Sequence, residues 1–162
     1  MQAQEAPCGP GNPLVVGQYV DSRYDENLIE HAFLSELLQY CRFVVDKRVE
    51  VLRPDVDAGG YDLVLEARGR LRHVQLKSRW YPGRKRNRTL DVNSRLHDHP
   101  DPCVVWTFWE VDPATCRVNL RYKYSEASDW PPQVVGASTF QLAWKDFSPG
   151  YLGVAGLMAK LF

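Results

Sequence analysis

GGYDLVLEARGRLRHVQLKS, residues 59–78, is the stretch that decides the fold. Apolar and polar residues alternate on both sides of Arg68-Gly69, which is the pattern of two antiparallel strands joined by a tight turn. A turn at this place fixes the register of the hairpin, and that register sets Asp62 opposite Gln75. We therefore expect a carboxylate and an amide to meet on one face of the hairpin.

Lys77 extends that polar face. It lies two residues beyond Gln75, so strand alternation places it on the same side, opposite Gly60, which has no side chain to crowd the ammonium. The other face is apolar and predicts burial against a core for Leu63, Leu65, Val74 and Leu76.

The elements around the hairpin predict an α/β (α+β) fold with a central mixed β-sheet flanked by helices. The order is a helix with Asp25 as its N-cap, a strand, the hairpin, a weakly helical crossover and a second hairpin, with a short helix at the end. These elements are expected at about 23–41, 43–52, 59–78, 91–98, 103–124 and 152–162.

Composition limits the class of protein. With 162 residues, 44% of them hydrophobic, the chain predicts a single domain over 14–162 after a disordered tail, 1–13, rich in Pro, Gly and Gln. The formal net charge of zero excludes a global field toward nucleic acid or membrane. The sequence has no C-x-x-C pair of the kind that binds zinc. It also has no apolar run that approaches the ~20 residues needed to span a bilayer. We expect a soluble, cytoplasmic protein without a membrane partner, whose aromatic C-terminal part is a lid, a homodimer surface or plain core.

Glu30 is a third candidate site residue. It lies near the middle of the apolar stripe of the first helix, beside Phe33 and Leu34, where an unpaired carboxylate would be costly to desolvate. A bound cation or Lys77 would compensate its charge, which makes Glu30 a candidate for function.

Glu30 on a helix, Asp62 on a strand after a Gly-containing loop, and Gln75-Leu76-Lys77 on the next strand resemble the PD-(D/E)XK nuclease superfamily. The resemblance covers about residues 25–110 and is to restriction-endonuclease-like and Holliday-junction-resolvase-like members, in a variant with Gln-x-Lys. The YDLVLE and VQLKS stretches also resemble parts of uncharacterised bacterial proteins, a likeness that implies a fold and no activity.

The resemblance implies metal-assisted hydrolysis of phosphodiester bonds. Asp62, the Gln75 side chain and the Leu76 carbonyl would ligate Mg²⁺ or Mn²⁺, and Lys77 would orient the attacking water and stabilise the developing negative charge. Glu30 would hold a second ion or a water of the first. Most members carry an acid where this chain has Gln75, and an amide oxygen is a neutral, weaker ligand. Glu30 or Asp57 could supply the missing charge, although a loop-capping role suits Asp57 better.

The segment after Lys77 is basic and aromatic, with no acid between residues 79 and 88. Cations bind phosphates and aromatic rings stack on unpaired bases. A nucleic-acid contact is therefore predicted for Arg79, Trp80, Tyr81, Arg84, Lys85, Arg86 and Arg88, with Arg121 and Lys123 as an extension, and a solvated basic loop is the plain alternative.

Two histidine motifs are expected to be structural. His97-Asp98-His99 has no partner motif elsewhere and predicts a surface loop, and His73 predicts a partly exposed strand residue.

Two functions follow from these patterns. One is a metal-dependent nuclease, an endonuclease acting on DNA. The other is a non-catalytic module that keeps the nuclease fold and binds nucleic acid or a protein.

Overall fold

The computed structural model describes residues 22–56, 59–81 and 89–162. The predicted tail, 1–13, lies outside these residues, as do Asp57, Arg84, Lys85, Arg86 and Arg88. The described elements are α1 (Ser22–Phe43), β1 (Glu50–Leu52), β2 (Leu63–Ala67), β3 (Arg70–Trp80), β4 (Thr89–Asn93), β5 (Pro102–Asp112), β6 (Arg117–Glu126), β7 (Thr139–Ala143) and α2 (Val154–Leu161). Short 3₁₀ helices span Ser94–Asp98, Ala127–Asp129 and Trp144–Asp146.

A five-stranded sheet in the order β1-β2-β3-β5-β6 forms the centre, and β4 pairs with β7 in a second, two-stranded sheet. The β3–β5 pair is parallel and the other pairs are antiparallel, so the predicted mixed sheet is confirmed. This is the α+β architecture of a restriction-endonuclease-like core.

The faces of the central sheet are covered differently. On the face that we call the helical face, Phe33 and Leu37 of α1 pack with α2 against a buried apolar layer formed by Leu63, Leu65, Val74 and Val105. On the other face, which we call the small-sheet face, β4, β7 and the C-terminal aromatics pack against Val104, Trp106 and Phe108. The helices therefore lie on one face only, and the second core uses strands and aromatic rings instead.

Several predicted elements need correction. The first helix is confirmed, but Asp25 lies within its first turn instead of capping it. The expected strand over 43–52 is reduced to β1. The expected crossover helix at 91–98 is a strand followed by a 3₁₀ helix, because Val92 is buried in the second core through the pairing of β4 with β7, and the Asn93 side chain caps the 3₁₀ turn. Asn, Ser and Asp favour such caps over helix interiors.

The aromatic C-terminal part is mainly core. Trp130 and Phe147 are buried in the second core, with Phe140 and Trp144 packed against it. Tyr151 differs, because 39% of it remains exposed.

Arg72 of β3 ties the end of α2 to the central sheet. It is 3% exposed, and its guanidinium donates hydrogen bonds to the carbonyls of Leu161, at 2.9 Å, and Lys160, at 3.0 Å. A buried guanidinium paired in this way satisfies the last carbonyls of the helix, which have no partner within the helix itself.

None of the described helices is long and apolar enough to cross a membrane.

Candidate active site

Asp62 stands where the β2–β3 ladder ends. The observed pairing of Leu63 with Val74 has the predicted register, which would continue to Asp62 and Gln75. Instead, the Asp62 N–H donates to the Val74 carbonyl at 2.9 Å, and the Asp62 Oδ2 atom accepts the N–H of Leu76 at 2.6 Å. The carboxylate thus takes a backbone acceptor's place and lies against the peptide that joins Gln75 to Leu76.

Gln75 is held from the small-sheet face. It is 7% exposed, and its Oε1 atom accepts the backbone N–H of Asn93 at 3.2 Å. Asn93 was not identified from the sequence. Its Asn-Ser pair is a capping signal and would locate the turn, although nothing in it shows that this turn packs on Gln75.

Gly60 makes room for Asn93 and not, as the sequence suggested, for the Lys77 ammonium. A Cβ atom on residue 60 would lie 2.7 Å from Asn93 Cγ, and the backbone there has φ +73°. Both observations require glycine, because a positive φ strains residues that carry a side chain. The glycine therefore lets the β4 turn close over the start of β2.

Lys77 lies on the small-sheet face in a row of three residues on neighbouring strands. It pairs with Trp106 of β5, which in turn pairs with Lys123 of β6. Lys77 is half-buried, whereas Lys123 is 1% exposed, with its amine 4.1 Å from the Trp144 ring centre and donating to the Ser148 carbonyl. Desolvation by burial lowers the pKa of Lys123. Of the two cations, Lys77 is the more accessible.

Glu30 is neutralised by Arg53. One Glu30 oxygen, Oε1, lies 2.7 Å from Nη2 of Arg53 and accepts a hydrogen bond from its Nε at 2.9 Å. Of the two partners that the sequence suggested, a bound cation or Lys77, the lysine is wrong, because α1 packs on the helical face while Lys77 and Gln75 lie on the other. The structure brings Asp62, Gln75 and Lys77 together and leaves Glu30 in a separate ion pair.

The histidines pack more closely than expected. His73 and His99 stack with ring centres 4.7 Å apart, and each lies edge-on to Tyr61, the residue before Asp62. His99 also approaches the Gly59 carbonyl with its Nε2 at 3.1 Å. The predicted surface loop at His97 is wrong as well, since this half-buried ring contacts Trp130 and Phe140. The aromatic cluster supports the loop that delivers Asp62.

The described part of the basic segment divides between the two faces. Arg79 and Tyr81 continue the face of Lys77, with the Arg79 guanidinium 4.8 Å from the Trp106 ring centre. Trp80 points to the helical face, edge-on to Trp109 at 4.6 Å. Trp80 therefore does not share a surface with Lys77.

The oxygen atoms of Asp62 and Gln75 suit a hard divalent cation, although only Asp62 carries a charge. The described residues contain no cluster of three His, Cys, Asp or Glu side chains. Asp62, just before β2, and Gln75 of β3 nevertheless offer a carboxylate and an amide oxygen beside the Gln75-Leu76 peptide, and Mg²⁺ prefers oxygen ligands. Because the site has one carboxylate, we expect it to bind the divalent cation weakly.

The mixed sheet, with Asp62 against the Gln75-Leu76 peptide and Lys77 next along β3, fits the nuclease family that the sequence resembles. Comparison with protein families agrees, since the model of the PD-(D/E)XK endonuclease family matches residues 38–121, just over half of the chain. The chain therefore belongs to the PD-(D/E)XK endonuclease family. A comparison with curated protein sequences gives no match.

Proposed function

We propose that the protein is a metal-dependent endonuclease that hydrolyses phosphodiester bonds, with DNA as its substrate. The observation that carries the proposal is the contact of Asp62 Oδ2 with the Leu76 N–H, because it sets a carboxylate beside the Gln75-Leu76-Lys77 segment in a chain of this family. The bond also fixes the carboxylate relative to the lysine.

Asp62, Gln75 and the Leu76 carbonyl would hold Mg²⁺ or Mn²⁺. When bound, the ion supplies charge neutralisation at the scissile phosphate and a more acidic water. Lys77 orients that water by hydrogen bonding and stabilises negative charge as it develops on the phosphate. Asn93 and Gly60 position Gln75. Glu30 remains paired with Arg53 on the helical face and has no part in this arrangement.

Substitution of Lys77 tests this function. We expect the wild type to cut plasmid, linear, branched or single-stranded DNA in the presence of Mg²⁺ or Mn²⁺, and Lys77→Ala to lose about 10²- to 10³-fold of the rate with an unchanged melting temperature. Lys145→Ala, at an exposed lysine, is the matched control. Wild type that cuts none of these substrates, or Lys77→Ala that cuts normally, contradicts the proposal.

The second candidate function is a non-catalytic binding module. Gln75 in the place of an acid and the pairing of Glu30 with Arg53 favour it, because both lower the negative charge available to a cation. A Mn²⁺ titration followed by calorimetry separates the two functions. The nuclease binds the ion and loses it in Asp62→Asn, whereas the module binds nucleic acid in a salt-dependent way and shows no such ion site.

The cellular location of the protein and its oligomeric state are part of the same proposal. We place the activity in the cytoplasm, and size-exclusion chromatography with light scattering would establish whether the active form is a homodimer.

A further inference from the structure

We infer that the small-sheet face beyond Lys77 binds single-stranded nucleic acid through Tyr81, Tyr151 and Arg121, so that the substrate has unpaired nucleotides next to the bond that is cut. This inference rests on the proposed function, because it defines which substrates reach that site.

The three residues come from separate parts of the chain and meet at one surface, which we call the tyrosine surface. Tyr81 follows β3, Arg121 belongs to β6, and Tyr151 precedes α2. The two tyrosine rings lie edge to face, with centres 6.0 Å apart, and the Arg121 guanidinium is 5.2 Å from the Tyr81 ring centre.

The tyrosine surface is the accessible end of a cluster whose other members are core. Trp106 is fully buried and Phe108 is 4% exposed, whereas Tyr151, which contacts Phe108 at 5.1 Å, is 39% exposed. The Arg121 side chain is 47% exposed. The exposed part of the Tyr151 ring, beside a second tyrosine and a guanidinium, is therefore accessible to a ligand.

Charge at the tyrosine surface suits phosphates. Arg121 pairs with Glu110 at 3.1 Å, a contact that is half exposed and therefore weak enough for a phosphate to replace. Aromatic rings beside cations form the usual platform for unpaired bases.

The position of the surface relative to Lys77 sets the substrate. Tyr81 lies four residues beyond Lys77 on the same face, and its N–H bonds to the Trp109 carbonyl, so the strand geometry continues to it. At ~3.3 Å per residue the separation is about 13 Å. Both described α-helices pack on the opposite face, so neither is placed to enter a DNA groove here. Unpaired bases, which expose the faces that a tyrosine ring can stack on, fit this surface better than a duplex.

Binding without divalent ions tests the inference independently of cleavage. In EDTA, anisotropy of a labelled 20-nucleotide DNA strand should report tighter binding than the same sequence as a duplex, and a matched RNA strand shows whether the sugar is also read. Tyr151→Leu should weaken single-strand binding about 5- to 150-fold, while Tyr151→Phe keeps the ring and the affinity. Arg121→Gln should make the negative slope of log K against log salt shallower by about 0.7.

The possible results separate the two proposals. Equal affinity for strand and duplex, or a folded Tyr151→Leu that binds like wild type, overturns the inference even if the enzyme cuts DNA. Selective, Tyr151-dependent binding with no cleavage under any condition supports the surface and refutes the nuclease. Circular dichroism confirms the folding of each variant, and Arg121→Gln tests the surface if Tyr151→Leu fails to fold.

Discussion

Replacing Gln75 with Glu restores the acid that most of the family carries, and the structure predicts opposite effects with and without metal. Without metal, the new carboxylate stands beside Asp62 in a nearly buried position. Asp62 lies against the peptide that joins Gln75 to Leu76, and two like charges about 5 Å apart repel by roughly 3 kcal/mol at an effective dielectric of ~20. Solvent at the half-buried Asp62 and the Asn93 N–H offset part of this. We expect a loss of about 1–3 kcal/mol, or roughly 3–9 °C in melting temperature.

With metal, the same pair of carboxylates becomes a better ligand set. A tenfold gain in affinity for Mn²⁺ adds about 1.4 kcal/mol of stabilisation at saturation. Melting curves with and without Mn²⁺ should therefore show a larger metal-dependent rise for Gln75→Glu than for wild type, and calorimetry should report tighter binding. Gln39→Glu, at an exposed helix position, makes the same charge change as a control. If Gln75→Glu melts like wild type without metal and gains nothing from Mn²⁺, then Asp62 and residue 75 do not face a common cation.

Three further predictions concern stability. Gly60→Ala should lower the free energy of unfolding in urea by at least ~1–2 kcal/mol, because φ is +73° and the new Cβ atom meets Asn93. Gly69→Ala, also at positive φ but in open space, is the control and should cost less. Equal losses in the two variants would refute the contact with Asn93. Burial raises the pKa of the Cys103 thiol to about 12 from 9.0, so the folded state retains a proton that the unfolded state loses. Stability should then fall by about 1.4 kcal/mol per pH unit above pH 9, and Cys103→Ala should flatten that slope between pH 9 and 10; an unchanged slope would show that the thiol is not its source. Leu65→Ala, at a fully buried position, should cost about 2–5 kcal/mol, while Leu71→Ala, at an exposed one, should cost little, and similar values would contradict the assigned core.

The hairpin could be predicted from the sequence because its register depends on local signals. A Gly-containing turn and strict alternation leave one pairing that buries Leu63, Leu65 and Val74, and a slip by one residue would expose all three. The same reasoning brought Asp62 to the Gln75-Lys77 segment. It did not predict that the ladder stops at Leu63 and that the carboxylate itself accepts a backbone N–H.

The contacts that were missed join residues far apart in the chain. β4 is a strand because β7, about fifty residues later, pairs with it, and short polar windows such as 91–98 carry no signal of such a partner. The Glu30–Arg53 ion pair is similar: the sequence showed that Glu30 needs a compensating cation, but several arginines and lysines could have supplied it. Tyr81 was identified from its basic surroundings, while its neighbour Tyr151 was one aromatic among many.

The anchorage of Arg72 links the end of α2 to β3, the strand that carries Gln75 and Lys77. Loss of the Leu161 carbonyl would leave a buried guanidinium short of an acceptor, on the same strand as Gln75 and three residues before it. The strain would reach the Asp62 contact through β3 and not through α2 itself. Substitutions that displace the end of α2 would therefore act on the candidate site from a distance.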